Sequence, residues 1–139
     1  PDRDTARARH AFNAYRRSNL LRCAWTNEPV RTMHVDHAIP WSLWRSNDLW
    51  NLLPVESRVN TEKGARLPSR RRVEARRTTI IASWEILFNA ERETFLTHAR
   101  QFAGEAAGRD FGSAMQDVLF NAFKDALEFT AVNRGVERW

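Results

Sequence analysis

The sequence predicts an α+β fold, mostly helical, in which a small core of strand, loop, strand and helix with a two-stranded hairpin is flanked by an N-terminal helix and C-terminal helices. Three observations carry this. Apolar residues recur at helical spacing in Asp4 to Ser18 and throughout the stretch beyond Pro68. Between them, residues 20–55 carry short apolar runs broken by proline and turn residues, the mark of strands. Finally, 42% of the 139 residues are hydrophobic, with eight Phe and six Trp, so the chain has the mass for a packed core despite 28% charged residues. The expected organisation is residues 1–69, a basic helix plus the strand-containing core, and residues 70–139, a helical region packed on it as one compact unit. The sequence starts at Pro1 rather than Met, which fits a processed product or a domain cut from a longer polypeptide.

Taken in order, Ala8, Phe12 and Tyr15 form one face of a first helix, with Arg7, Arg9, Arg16 and Arg17 on the others. Such a helix covers one side of the core and can also rest its arginines on a polyanion. Leu20 to Trp25, the turn Thr26-Asn27-Glu28-Pro29 and Val30 to Val35 read as a hairpin. Ile39-Pro40 ends the extended stretch, because proline lacks the ladder donor and restricts its predecessor. A loop with Trp41, Trp44 and Trp50 follows, turning at Ser46-Asn47-Asp48, and Leu52 to Val55 is a second short strand. Ser57 is placed to cap a helix that runs through Asn60 and Lys63 to about Arg66 and stops before Pro68. Past Pro68 a long segment puts Trp84, Leu87, Phe88, Phe95, Ala99 and Phe102 on one helical stripe; Gly104, Gly108 and Gly112 break it, and a last helix covers roughly Ser113 to Ala131.

Composition removes several classes of function. Cys23 is the only cysteine, so neither an intrachain disulfide nor a four-cysteine zinc site can form, and a reducing, cytoplasmic compartment is expected. No apolar run reaches the roughly 18 to 20 residues of a membrane span, so no membrane partner is expected. The net charge of +5 is unevenly spread: residues 1–77 hold sixteen Lys plus Arg against eight Asp plus Glu, while residues 78–139 hold six against nine. The basic half suits a nucleic-acid backbone, whose counterions Lys and Arg displace.

That half also contains His34-Val-Asp36-His37-Ala-Ile-Pro40-Trp41, then Asn51 fourteen residues after His37, then Asn60 nine residues further on. These residue types suit phosphodiester hydrolysis, which needs a nucleophile at neutral pH, charge neutralisation and help for the leaving oxygen. A histidine with a pKa near ~6.5 accepts a proton from water without further tuning, which makes His37 the candidate general base. Asp36 and Asn60 offer oxygen, the donor preferred by Mg2+ or Mn2+ over zinc. Asn51, able to donate and accept at once, is the candidate for pinning the loop between the strands.

The run His34 to Trp41, with Trp50-Asn51-Leu52-Leu53-Pro54 and Asn60-Thr61-Glu62-Lys63, resembles the ββα-metal core of HNH endonucleases, over about Leu21 to Ser69. The spacing is similar to that of the HNH domains of CRISPR effector nucleases, which also carry asparagine at the last position. The resemblance implies that Asp36 and Asn60 are metal ligands, His37 the general base and Asn51 the loop-fixing residue. It also implies cleavage of DNA to 5′-phosphate and 3′-hydroxyl ends, by an endonuclease or nickase serving as the effector of a bacterial defence system such as restriction or CRISPR. RNA stays open beside DNA. Many relatives hold a structural zinc with two Cys-x-x-Cys pairs; here Cys23-Ala-Trp-Thr26 keeps one cysteine, and Arg58-Val59-Asn60 does not supply a second pair, so that zinc is not expected. The Trp-rich loop and the flanking helices are the candidates to brace the core in its place.

Around this motif, His34 is read as a strand residue touching phosphate or solvent, and Lys63 as either a phosphate contact or a solvated lysine. Arg66, Arg70, Arg71, Arg72, Arg76 and Arg77 are read as straddling a nucleic-acid backbone just past the catalytic helix. The tryptophans are read as core rather than base-stacking platforms, and His10 and His98 as ordinary histidines. Two other classes stay open: a non-catalytic nucleic-acid-binding module, and a helical interaction domain that docks on a larger complex or on a second copy.

Overall fold

The computed structural model describes residues 2–139. Helix α1, Ala6–Arg16, is a turn shorter than the apolar spacing suggests. Asp4 sets its start, accepting the Ala6 N–H on its carboxylate at 2.9 Å. Its buried face is Ala8, Ala11 and Phe12, laid against the strand pair and a later helix.

The two-stranded sheet joins β1, Met33–His37, to β2, Leu52–Glu56, antiparallel, with Asp36 opposite Leu53 and His37 opposite Leu52. This corrects the expected pairing of Leu20–Trp25 with Val30–Val35. Only an isolated bridge, Arg22 with Pro29, links those segments. The chain curls instead into a tight knuckle, with Asn27 at φ +62° and its N–H on the Cys23 carbonyl at 2.8 Å. Asparagine tolerates this left-handed conformation better than most residues. The backbone at Ala24 is then spent on β2, donating to the Pro54 carbonyl at 2.8 Å. Residue 54 therefore faces its polar groups away from β1, and a proline there removes no bond from the ladder. From Leu52 to Val55 every residue is buried, as befits a strand covered on both sides.

Helix α2, Ser57–Lys63, follows β2 without a linker. Ser57 is its first residue rather than its side-chain cap, and the Ser57 N–H bonds the Thr32 carbonyl at 2.9 Å. The helix stops earlier than expected because Gly64 turns at φ +57°, a conformation glycine adopts at little cost.

The long helical segment is three helices: α3, Arg70–Ala75; α4, Arg77–Ala90; and α5, Arg92–Ala103. Helix α6, Ser113–Arg134, runs past its expected end to Gly135, which adopts the left-handed C-cap conformation. The helices close over the Trp-rich loop. Trp50 is 1% exposed and stacks on Phe102 at 3.8 Å, and the Trp84 indole N–H donates to the Trp50 carbonyl at 2.9 Å. Trp50 thus serves the core, as expected. Beyond α6 the chain returns to the small core: Trp139 N–H bonds the Leu67 carbonyl at 2.6 Å, Ser69 N–H bonds the Trp139 carbonyl at 2.7 Å, and the Trp139 ring meets Trp25 edge-on at 5.9 Å. Arg138 anchors this return by donating to the Pro68 carbonyl and to the Glu128 carboxylate, both at 2.8 Å, and the second bond holds Glu128 below its ordinary pKa. No helix among the described residues is long and apolar enough to cross a membrane.

Candidate active site

The last residues of β1, the 310 turn Leu49–Asn51 before β2, and α2 converge on one spot. Asn51 is fully buried and spends its amide on the loop that leaves β1. Its Oδ1 accepts the Ile39 N–H at 2.8 Å, and its Nδ2 donates to the Ile39 carbonyl at 3.1 Å and the Ser46 carbonyl at 3.3 Å. One side chain replaces the ladder where the strands separate, which a fully satisfied buried amide can do.

Asp36 is buried at the penultimate position of β1. Its Oδ2 accepts the Trp25 indole N–H at 2.9 Å and its Oδ1 the Lys63 ammonium at 3.2 Å. Lys63 is 0% exposed and also donates to the His37 carbonyl at 3.2 Å. This corrects the reading of Lys63 as a phosphate contact or a solvated side chain: it lies inward, neutralising the one buried carboxylate beside it. A buried charge persists only when paired in this way.

His37 is 2% exposed. Its Nε2 lies 3.1 Å from Asn47 Oδ1, its ring meets Trp41 edge-on at 5.6 Å, and its Nδ1 is buried without a hydrogen-bond partner among the described residues. Desolvation, opposed by the Asn47 bond and reinforced by the charge of Arg3, holds its pKa below 6.5. At neutral pH the ring is therefore uncharged and can accept a proton. A buried nitrogen with no partner is costly to keep; the Trp139 indole nitrogen is the other such atom among the described residues.

Asp36, His37 and Asn60 line one cavity of about 350 Å3, together with Arg3, Trp41 and Ser42. Asn60 also borders a second, more polar cavity of about 570 Å3, shared with Arg3, Arg9 and His34. The two cavities meet at Arg3 and Asn60. His34 is exposed on β1, its Nδ1 3.4 Å from Asn60 Nδ2, an orientation that leaves the amide oxygen of Asn60 free of that contact.

Each Asp36 oxygen has one protein donor and therefore a lone pair to spare, and Asn60 adds an amide oxygen at the same cavity. This fits a hard ion such as Mg2+, which commonly takes one or two side-chain oxygens and fills its remaining positions with water and phosphate. No cluster of three or more His, Cys, Asp or Glu that could hold a metal occurs among the described residues. At the opposite end of the hairpin, Cys23 Sγ lies 3.5 Å from the Glu56 N–H, and the Glu56 carboxylate accepts the N–H groups of Arg31 at 2.7 Å and Thr32 at 3.0 Å.

The arginine cluster past α2 is largely occupied elsewhere. Arg66 folds back on the Glu62 and Lys63 carbonyls. Arg72 lies 3.7 Å over the Trp139 ring, and Arg77 pairs with Asp117 and covers Phe120. Arg70 pairs with Glu74, Arg76 is half-buried, and Arg71 is exposed. None of the six lines either cavity, and Arg72 and Arg77 pin α3 and α4 to the C-terminal return and to α6. Arg3 stands at the cavity in their place.

Trp25, Lys63, Asn47 and Arg3 all touch the site, and the motif spacing alone does not reveal their contacts. Lys63 carried a signal, lying one helical turn from Asn60. Trp25 carried a weaker one, since a buried indole N–H needs an acceptor. His98 is more than an ordinary histidine: its Nδ1 accepts the Leu49 N–H at 3.0 Å, tying α5 to the turn that carries Asn51.

Residues 23–69 match a family model described as HNH endonuclease. Neither a curated protein nor a solved structure matches the chain.

Proposed function

We propose that this protein, whose residues 23–69 match the HNH endonuclease family model, is a metal-dependent endonuclease that hydrolyses phosphodiester bonds in DNA. The observation that carries the reading is the meeting of Asp36, His37 and Asn60 at one cavity, with His37 uncharged and one of its ring nitrogens unpartnered. His37 takes a proton from a water that attacks phosphorus, the bond to the 3′ oxygen breaks, and that oxygen leaves and takes a proton from solvent to become a hydroxyl, so the other end keeps a 5′-phosphate. Asp36 and Asn60 are the residues that would hold Mg2+ or Mn2+, which when bound supplies charge neutralisation at the phosphoryl group. Arg3, Arg9 and His34 lie along the adjoining cavity and suit the flanking phosphates. Lys63 and Trp25 hold Asp36 in place from the protein side.

The test is cleavage of plasmid and of linear single- and double-stranded DNA with Mg2+, with Mn2+ and with EDTA, beside His37→Ala. The reading expects cutting that needs the metal and disappears in the variant; equal cutting by His37→Ala would remove His37 as the base. One observation favours a second reading, a module that binds nucleic acid without turning it over: the Lys63 ammonium already neutralises Asp36. That module would bind DNA in a salt-sensitive way, weaken on Arg3→Ala, and cut nothing with any metal.

A further inference from the structure

The segment ahead of α1 reaches the site through Asn47. Asn47 Oδ1 accepts the Asp4 N–H at 2.9 Å, and Asn47 Nδ2 donates to the Asp2 carbonyl at 2.7 Å. An N–H can only donate and a carbonyl can only accept, so these two bonds fix which end of the amide is oxygen. The same oxygen lies 3.1 Å from His37 Nε2. Because the amide oxygen offers only lone pairs, Nε2 must carry the hydrogen. A neutral imidazole has a single N–H, so the lone pair that can receive a proton sits on Nδ1, the ring nitrogen with no partner among the described residues.

We propose that Asn47 is a positioning residue for His37: it holds the imidazole in the Nε2–H tautomer and in one ring orientation, and the Asp2–Asp4 segment holds the Asn47 amide the right way round to do so. The N-terminal segment is then part of the site's machinery, acting two bonds away from the reacting atoms. The consequence for cleavage rests on the nuclease reading above, but the control of the tautomer does not.

The experiment uses the full chain with 15N-labelled histidine, the His37 signals being assigned with His37→Gln, at a mildly alkaline pH where the neutral ring is observed. The wild type is expected to show Nε2–H alone. Asn47→Ala is expected to show a detectable Nδ1–H population and to lower kcat by roughly 10- to 100-fold with KM little changed, by analogy with the loss of hydrogen-bond partners behind metal-ligating histidines. Asn47→Asp, which keeps an acceptor, restores the Nε2–H form. Asp4→Pro, which deletes the N–H, moves the spectrum toward that of Asn47→Ala, while Asp4→Ala, which keeps it, does not.

An Nδ1–H tautomer in the wild type, or an unmixed Nε2–H signal in Asn47→Ala, overturns the proposal. Identical spectra for Asp4→Pro and Asp4→Ala overturn the part assigned to the N-terminal segment. If the wild type cuts nothing while the tautomer responds as described, the hold of Asn47 on His37 stands and the nuclease reading falls.

Discussion

At the Met33–Glu56 end of the hairpin, the Glu56 carboxylate is half-buried and both of its oxygens are engaged by backbone N–H groups. At the other end, Asp36, His37, Asn51 and Lys63 are all buried, and His37 Nδ1 is left without a partner among the described residues. The two ends lie four residues apart along each strand and carry opposite designs. One closes a loop and satisfies every group it presents. The other holds a charge pair in the dark and keeps a basic nitrogen unspent. The comparison separates polar residues that hold the chain from polar residues poised to act.

Substitutions at the two ends should therefore separate activity from stability. The largest effect is expected for His37→Ala, with a loss of cleavage rate of about 10^2- to 10^4-fold, the range for removing a general base; single-turnover cleavage measures it. Glu56→Gln is the partner experiment. It weakens two backbone bonds and lowers the urea midpoint while leaving cleavage by the folded enzyme unchanged, and a parallel loss of activity would erase the contrast between the ends.

Next in size is Lys63→Met, which strands the Asp36 carboxylate in the interior and should cost about 3–5 kcal/mol in urea unfolding. A small cost there would mean that Asp36 is not buried as a charge. Asn51→Ala leaves the Ile39 N–H and carbonyl without their partner and should cost about 1–3 kcal/mol; hydrogen exchange at the Ile39 amide should accelerate in the same variant.

The smallest expected effect is a pH dependence of stability from His98. Burial, opposed by Asp48, holds its pKa below the ordinary 6.5. Between the folded and unfolded pKa values only the unfolded chain binds the proton. The stabilisation is therefore complete above about 6.5 and is lost as pH falls from there toward the folded value. His37, shifted the same way, adds to it. Urea midpoints at pH 7.5 and 5.5 should differ, and His98→Gln should flatten part of the difference.

The residues that a fixed local geometry dictates were legible in the sequence. Asp36, His37, Asn51 and Asn60 sit at spacings set by a strand, a loop and one helical turn; Asp36, His37 and Asn60 line one cavity, and Asn51 pins the loop that leaves β1. Trp25 and Asn47 were not legible as site residues, because their contacts depend on how the knuckle and the N-terminal segment fold back, which no local pattern encodes. The apolar stripe from Trp84 to Phe102 concealed the break at Glu91, since α4 and α5 both bury their share of it and neither proline nor glycine marks the join. The arginines past Pro68 read as a nucleic-acid track because charge can be read in one dimension, whereas the partners of Arg72 and Arg77, Trp139, Asp117 and Phe120, lie far along the chain.

The return of the chain at Trp139 has a consequence in time. Trp139 packs on Trp25, and Trp25 holds Asp36, so the Asp36 environment is finished by a residue more than a hundred positions downstream of it. Contacts of that sequence separation form late, after the local helices. During synthesis the Asp36 carboxylate therefore gains its full set of neighbours only once Trp139 has left the ribosome, and an emerging chain carries an unfinished cluster until then.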